Sequence, residues 1–319
     1  MDEFKLIKNY FHQISSDNKF ALNLNDDVFF DKKKKLAISI DTYIQGIHFL
    51  DFKKPDLVIK KIIRSSISDL ICKGVDPKFY FISGSGNKES FSKKNLSKIS
   101  KSLKQEQKKY NILLSGGDTT FSNKLSFSIT SVGYSKKIIY RNNAKLYDDI
   151  YVTGNLGDSY LGLKVLRNKI RLNKKDKDYF LRKYYKPDIQ VKLTKKLFRF
   201  ANTSIDISDG LFADLEKMLN NQRYSYKIFE DKIPVSKKLS ELIEKRKLIK
   251  SKLITNGDDY QVMFTASKKK SRIISHTSKA LGIKITKIGK IIPGYKKDIL
   301  ISQKGKEIQL KNKGYIHKF

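Results

Sequence analysis

The stretch Leu113-Leu-Ser-Gly-Gly-Asp-Thr-Thr120 joins an apolar strand signal to two glycines, a carboxylate and two hydroxyls. The missing side chains of Gly116 and Gly117 let backbone amides approach an anion such as a phosphate. Asp118 offers a hard oxygen to a metal ion, and Thr119 and Thr120 can donate to oxygen. A tight hairpin with an Asx-turn fits the same residues, so the surrounding sequence has to decide. Working outward, Ile112 to Leu114, Ser126 to Gly133, Phe79 to Ile82, Leu36 to Ile40 and Ile150 to Thr153 read as buried strands. Between them, Asp56 to Lys73 places Leu57, Ile59, Ile62, Ile63, Ile67, Leu70 and Ile71 at helical spacing, and Gly74 supplies a stop. Asn95 to Tyr110 repeats Leu96, Ile99 and Leu103 on one face of a surface helix with a basic outer side. Further on come a helix at Leu161 to Asn168, a lysine-rich helical stretch to Phe200 and the segment Asp206 to Asn220. Strands are expected around Leu253 to Phe264, Ile283 to Ile292 and Ile299 to Ser302. Strand and helix alternate in both halves. The expectation is an α/β protein of two α/β domains, residues 1–145 and 146–319, with the boundary near Arg141 to Asp149.

Charge sharpens this reading. The chain has 319 residues, 67 Lys and Arg against 32 Asp and Glu, and a formal net charge of +35. Yet long stretches hold no lysine or arginine, among them these seven: Phe20 to Asp31, Leu36 to Phe52, Ser65 to Cys72, Tyr110 to Asn123, Leu146 to Leu163, Phe200 to Glu216 and Leu253 to Ser267. In most of them an aspartate stands beside glycine, serine or threonine. Burial in strands and turns explains absent lysine but not the aspartates. A group of Mg²⁺ ions held by these carboxylates and facing phosphate oxygens explains both. The net charge by itself suggests a polyanion partner. Against that, only nine of the basic residues are Arg and the lysines are scattered, so no specific nucleic-acid surface is expected. The single cysteine, Cys72, excludes an internal disulfide and fits a reducing compartment. No apolar run of 18 residues occurs, so a cytoplasmic protein without a membrane partner is expected.

The remaining aspartates fall into the same pattern. Asn25-Asp-Asp27 and Ser39-Ile-Asp-Thr42 flank short apolar stretches, each compatible with a turn in isolation. Asp69 sits inside an apolar helix, where it lowers helix propensity unless it points at something. In Asp206-Ile-Ser-Asp-Gly210, strand alternation sends Asp206 and Ser208 to one side, while Asp209-Gly210 opens the next helix and can cap it. Thr153-Gly-Asn-Leu-Gly-Asp-Ser159 reads as structural, with Asp158 as an N-cap. No Gly-x₄-Gly-Lys-Ser/Thr loop occurs, and one cysteine with four scattered histidines excludes a conventional zinc site. His48 stands apart from the other histidines because it lies in a lysine-free stretch beside Asp41.

These motifs occur together in an order that resembles the thiamine-monophosphate kinases. Asn25-Asp-Asp27, Ser39-Ile-Asp-Thr-Tyr-Ile-Gln-Gly-Ile-His48, Ser68-Asp-Leu, Gly74-Val-Asp-Pro77, Gly116-Gly-Asp-Thr-Thr120, Tyr151-Val-Thr-Gly154, Asp206-Ile-Ser-Asp-Gly210, Gly257-Asp-Asp-Tyr260 and the closing Lys313-Gly-Tyr315 carry the resemblance across the whole chain. It implies the aminoimidazole-ribonucleotide-synthetase-like fold, with the N-terminal sheet pairing across a homodimer. It further implies Mg²⁺ ligation by Asp27, Ser39, Ile40 through its carbonyl, Asp41, Asp69, Asp118, Asp206 and Asp209. ATP contacts are implied at Gly117, Asp118, Arg141 and Ser208, and thiamine phosphate contacts at His48, Asp258 and Tyr315, with no catalytic residue beyond these ligands. The activity implied is Mg²⁺-dependent transfer from ATP to thiamine phosphate. Departures from the family pattern are Asn25 for a glycine, Ile40 for a threonine, Asn256-Gly-Asp-Asp-Tyr-Gln261 for Gly-Gly-Glu-Asp-Tyr-Glu, and Tyr315 for another aromatic. The alternatives are another ATP-using member of the superfamily, selenophosphate-synthetase-like or aminoimidazole-ribonucleotide-synthetase-like, and more remotely a basic nucleic-acid-binding protein. A selenophosphate synthetase would carry a cysteine and a glycine-rich loop near its N-terminus, and neither is present.

Overall fold

In the computed structural model, which describes residues 1–310 and 312–317, each half of the chain builds one sheet. Strands β1 (Phe29–Asp31), β2 (Leu36–Ile44), β3 (Asp76–Gly86), β4 (Leu113–Phe121) and β5 (Ser126–Tyr134) form the first, in the order β1-β2-β5-β3-β4. Strands β6 (Asp149–Thr153), β7 (Thr203–Asp206), β8 (Tyr224–Phe229), β9 (Val262–Ala266), β10 (Ile285–Pro293) and β11 (Ile299–Ile301) form the second, in the order β11-β8-β10-β6-β9-β7. The helices are α1 (Glu3–Leu6), α2 (Pro55–Cys72), α3 (Lys93–Tyr110), α4 (Asp158–Leu166), α5 (Lys174–Tyr185), α6 (Leu211–Leu219), α7 (Lys237–Arg246), α8 (Lys250–Ile254) and α9 (Ser271–Leu281). Pairing is antiparallel apart from β3 with β4 and β8 with β11. The parallel β3–β4 pair needs a crossover, which α3 supplies.

Helix α2 is the hinge of the architecture. Pro55 starts it with a φ suited to the first turn, and Gly74, at φ +79, follows its end. The sequence predicts one apolar face. The structure buries the helix nearly all round, because it lies on β2 and β5 and also meets β7 of the second sheet. Val58, Ile59, Ile62, Ile63, Ile67 and Leu70 are almost wholly buried, and burying each is worth about 1.5–3 kcal/mol. Its polar side chains are therefore interior as well. Arg64 is held bidentately by Glu106 of α3, at 2.8 and 3.1 Å, and donates to the Pro187 carbonyl at 3.1 Å. That pairing satisfies a charge that would otherwise be strongly unfavourable in the interior.

Two local expectations change, and one competing reading falls away. Residues Leu253 and Ile254 end α8 and are not in a strand, and the pleat begins only at Val262. The cause is the intervening turn, where Asp258 and Tyr260 have φ of +68 and +49. The Gly-Gly-Asp stretch forms no hairpin but lies within β4. Asp158 is the first residue of α4 and caps nothing; its carboxylate accepts from Tyr179 Oη at 3.0 Å and Ser236 Oγ at 2.7 Å. Helices α2 and α3 cover one face of the first sheet. The other face is open: β4 is exposed throughout, and Ile40, Phe81, Leu113 and Phe121 stand on the surface.

Candidate active site

Alternation along β2 turns Ser39, Asp41 and Tyr43 toward α2 and leaves Ile40 and Thr42 on the open face, Ile40 being 69% exposed. Asp41 accepts from Tyr43 Oη at 3.1 Å, and Ser65 Oγ of α2 donates to that tyrosine oxygen at 2.8 Å. Asp69 extends from the same helix. Asp206 ends β7 and accepts a short hydrogen bond from Ser68 Oγ. Beyond it the chain runs beside residues 257–261: Asp258 N donates to Ser208 O at 2.8 Å and Tyr260 N to Ile207 O at 2.8 Å. A Cβ on Gly257 would lie 1.7 Å from Ser208 O, so only glycine permits this approach. Asp214 fixes the turn from within α6, its Oδ2 accepting from Asp209 N and Gly210 N at 3.0 Å each. Asp209 itself does not cap the helix.

One cavity of about 1050 Å³ is lined by Asp27, Ser39, Ile40, Asp41, Asp69, Arg141, Asp206, Ser208, Asp209, His48, Asp258 and Tyr315. Segments from both halves of the chain thus meet where the sequence places most of the site. Gly117 and Asp118 are elsewhere. Asp118 is in register with Ser83, Ser83 with Ser128, and Ser128 with Thr42. Asp118 is therefore three strand spacings, about 14 Å, from the Asp41 strand. Gly117 is required for another reason than phosphate approach, since a Cβ there would lie 1.8 Å from Ile82 O.

The carboxylates divide into two electrostatic groups. Asp26 and Asp27 are already matched by protein cations. Lys73, fully buried, reaches Asp26 at 2.6 Å, Asp27 at 3.5 Å and Ser204 O at 2.9 Å. Arg141 grips Asp27 through Nε at 3.0 Å and through a second, shorter bond, while its backbone N donates to Asp26 at 2.9 Å. Burial works upward on Asp27, but Arg141, Lys73 and Lys217 outweigh it and hold the carboxyl below its ordinary range. Lys217 likewise pairs with Asp209 and, at 3.2 Å, with Asp214.

Asp41, Asp69 and Asp206 have no cationic partner among the described residues. Burial, followed by neighbouring carboxylates, pushes Asp206 up to about 8 and Asp69 well above the usual range. Asp41 is pushed up to about 7 by burial and by Asp27 and Asp209, against its bond from Tyr43. Carboxylates that raise one another in this way are short of positive charge, and their hard oxygens suit a divalent cation. The Cys72 thiol lies close to Asp27 and Asp206. Burial pushes it far above its ordinary value, and it donates to Asp69 O at 3.1 Å, so it is a protonated neighbour.

The remaining wall is aromatic. His48 Nδ1 accepts from Ile44 N at 3.0 Å, and burial, then His317, lowers the imidazole to about 4. His48 is thus neutral at pH 7. The His317 ring stands 5.5 Å from His48 and 4.9 Å from Tyr315. Lys73, Lys217 and Asp214 escaped the sequence reading. No local signal marks the two lysines: each immediately follows a lysine-free stretch, after Cys72 and after Glu216, but so do the exposed Lys32, Lys53 and Lys124.

Residues 21–135 match the family described as AIR synthase related protein, N-terminal domain, and the two-sheet α/β fold agrees with that class. Over its whole length the chain is 34% identical to the thiamine-monophosphate kinase of Buchnera aphidicola subsp. Acyrthosiphon pisum (strain APS), covering 99% of this chain and 98% of that protein. It is 30% identical, with 99% and 98% covered, to the thiamine-monophosphate kinase of Escherichia coli (strain K12). The solved structure of AaThiL complexed with AMPPCP and TMP superposes with a TM-score of 0.85 at 27% identity, covering 99% of this chain and 97% of that one. The chain belongs to the thiamine-monophosphate kinase family.

Proposed function

We propose that this protein transfers the γ-phosphoryl group of ATP to thiamine phosphate in an Mg²⁺-dependent reaction, forming thiamine diphosphate and ADP. The observation that carries this reading is the trio Asp41, Asp69 and Asp206, buried without cationic partners beside Arg141 and Ser208 in a cavity with an aromatic wall. Asp27, Ser39, the Ile40 carbonyl and Asp209 join the trio as ligands. Bound Mg²⁺ would neutralise and align the phosphates of both substrates. Arg141 moves from Asp27 to the nucleotide phosphates, and Ser208 donates to them. The acceptor is already an anionic phosphate, so no general base is needed. The neutral His48, whose Nδ1 is occupied, is consistent with a role in seating the substrate together with Asp258 and Tyr315.

Two domains, residues 1–145 and 146–319, close on this cavity, and the active form is a homodimer. Strand β4 has a free edge, and β1 covers β2 only at Leu36, Ala37 and Ile38. Pairing two copies across these edges covers the open apolar face. It also sets Gly117 and Asp118 of the partner subunit beside Ser39–Asp41, so that each site takes one carboxylate from its neighbour. Among the described residues no helix is long and apolar enough to cross a membrane, and the cytoplasm is the proposed location. The test is incubation of the purified protein with ATP, Mg²⁺ and thiamine phosphate, with chromatographic detection of thiamine diphosphate. A folded protein that yields no product at saturating Mg²⁺ overturns the reading.

A further inference from the structure

Lys61 is a charged residue at the centre of the molecule with no part in the chemistry described so far. Its side chain is 1% exposed, and its Nζ lies 2.5 Å from Asp258 Oδ1 and 3.8 Å from the centre of the Tyr184 ring. Burial lowers the ammonium below its ordinary range, opposed by Asp258. Lys61 belongs to α2, whereas Asp258 belongs to the turn before β9, so the pair ties the two halves of the chain together at the cavity wall. Tyr260 Oη donates to the same Oδ1 at 3.1 Å. Oδ2 accepts no hydrogen bond from the described residues, and the Asp258 side chain keeps 25% of its surface, on the cavity. Tyr184, on which Lys61 rests, donates to the His48 carbonyl at 3.3 Å. Lysine, aspartate and histidine therefore form one connected support.

Helix geometry gives this support a spacing. Lys61, Ser65 and Asp69 lie four residues apart on one ridge of α2, about 12 Å from end to end. Asp69 reaches the carboxylate trio at one end of the ridge, and Lys61 reaches Asp258 at the other.

We propose that Lys61 is the positioning residue for the heterocycle of the substrate: it holds Asp258 with Oδ1 turned into the protein and Oδ2 presented to an N–H donor on the substrate ring. The proposal rests on the thiamine phosphate reading above, in which the aminopyrimidine supplies that donor. Without Lys61 the carboxylate is partly buried against tyrosine rings with no countercharge, and its orientation is lost.

The test is steady-state kinetics of full-length Lys61→Met against wild type, with calorimetric binding of thiamine phosphate in the absence of ATP. The expected result is a rise of about tenfold or more in KM and Kd for thiamine phosphate, with kcat and the KM for ATP within about threefold. A thiamine phosphate analogue with hydrogen in place of the amino group should lose a similar factor on wild type and little further on the variant. A KM for thiamine phosphate within twofold of wild type overturns the proposal. So does a parallel change of kcat and both KM values with a fall in Tm, which marks a merely structural pair. If Lys61→Met does not fold, the analogue decides on wild type alone, since equal KM values for analogue and substrate overturn the proposal. Wild type without turnover would instead sink the kinase reading, so the two failures are distinguishable.

Discussion

Replacing Asp206 by Asn should flatten the pH dependence of stability in the metal-free protein. The unfolded carboxyl titrates near 3.8, whereas the buried, carboxylate-ringed Asp206 of the native state holds its proton up to about 8. Between those values the native state binds more protons than the unfolded one, so stability falls as pH rises. The informative window is pH 6.5 to 8. Below 6.5 His48, lowered to about 4, contributes the opposite slope: a buried neutral imidazole loses stability as pH falls from 6.5 toward 4. Across the window of 1.5 pH units, Asp206 alone costs about 2 kcal/mol, at 1.36 kcal/mol per unit. For a chain of 319 residues that corresponds to about 3 °C in Tm. Asparagine keeps the size and the oxygen that accepts from Ser68, so packing is preserved while the titration is removed. Thermal unfolding in EDTA at pH 6.5, 7 and 8 is the assay. Wild type should lose Tm with pH more steeply than Asp206→Asn. Added Mg²⁺ should raise wild-type Tm most at pH 8, and that of the variant much less. Parallel pH profiles of the two proteins would refute the electrostatic reasoning.

Two further outcomes follow from the geometry. Asp41→Asn and Asp118→Asn should each nearly abolish turnover as separate homodimers. Mixed and reassembled in equal amounts they should recover about a quarter of wild-type activity, because half the dimers then hold one intact site built from both chains; no recovery would place Asp118 outside the partner's site. The acceptor carries its own nucleophile, and in the proposed site Asp206 and Asp209 around Ser208 would serve as metal ligands and not as bases. Initial-rate plots should therefore intersect, and γ-labelled ATP alone should leave no label on the protein. Parallel lines with a stable covalent label would show a phosphoenzyme.

Much of the carboxylate cluster was legible in the sequence because its members sit in local motifs: a strand end for Asp206, alternation for Asp41, an out-of-place acid in an apolar helix for Asp69. Each signal lies within a few residues, and the cavity joins them. Lys61, Lys73 and Lys217 were not legible. In a chain where lysine marks almost every solvated surface, nothing local separates three interior lysines from the rest, and their burial comes from α2 and α6 meeting both halves of the chain. The placement of Asp118 was hidden for a different reason. Its motif predicts a strand and a carboxylate correctly, but the strand's position at the sheet edge depends on the order β1-β2-β5-β3-β4, which is a matter of long-range pairing. The turn at residues 255–261 was read as strand because its apolar neighbours on both sides mask a backbone that only Gly257 allows.

The most direct test follows label from γ-³²P-ATP in the presence of Mg²⁺ and thiamine phosphate, for wild type and for Asp69→Asn, with thiamine diphosphate resolved by chromatography. Label should appear in thiamine diphosphate with wild type, stop when EDTA is added, and be nearly absent with a folded Asp69→Asn. Transfer that persists at the wild-type rate in the variant, or wild-type protein that hydrolyses ATP without labelling thiamine diphosphate, would contradict the assignment of this cavity.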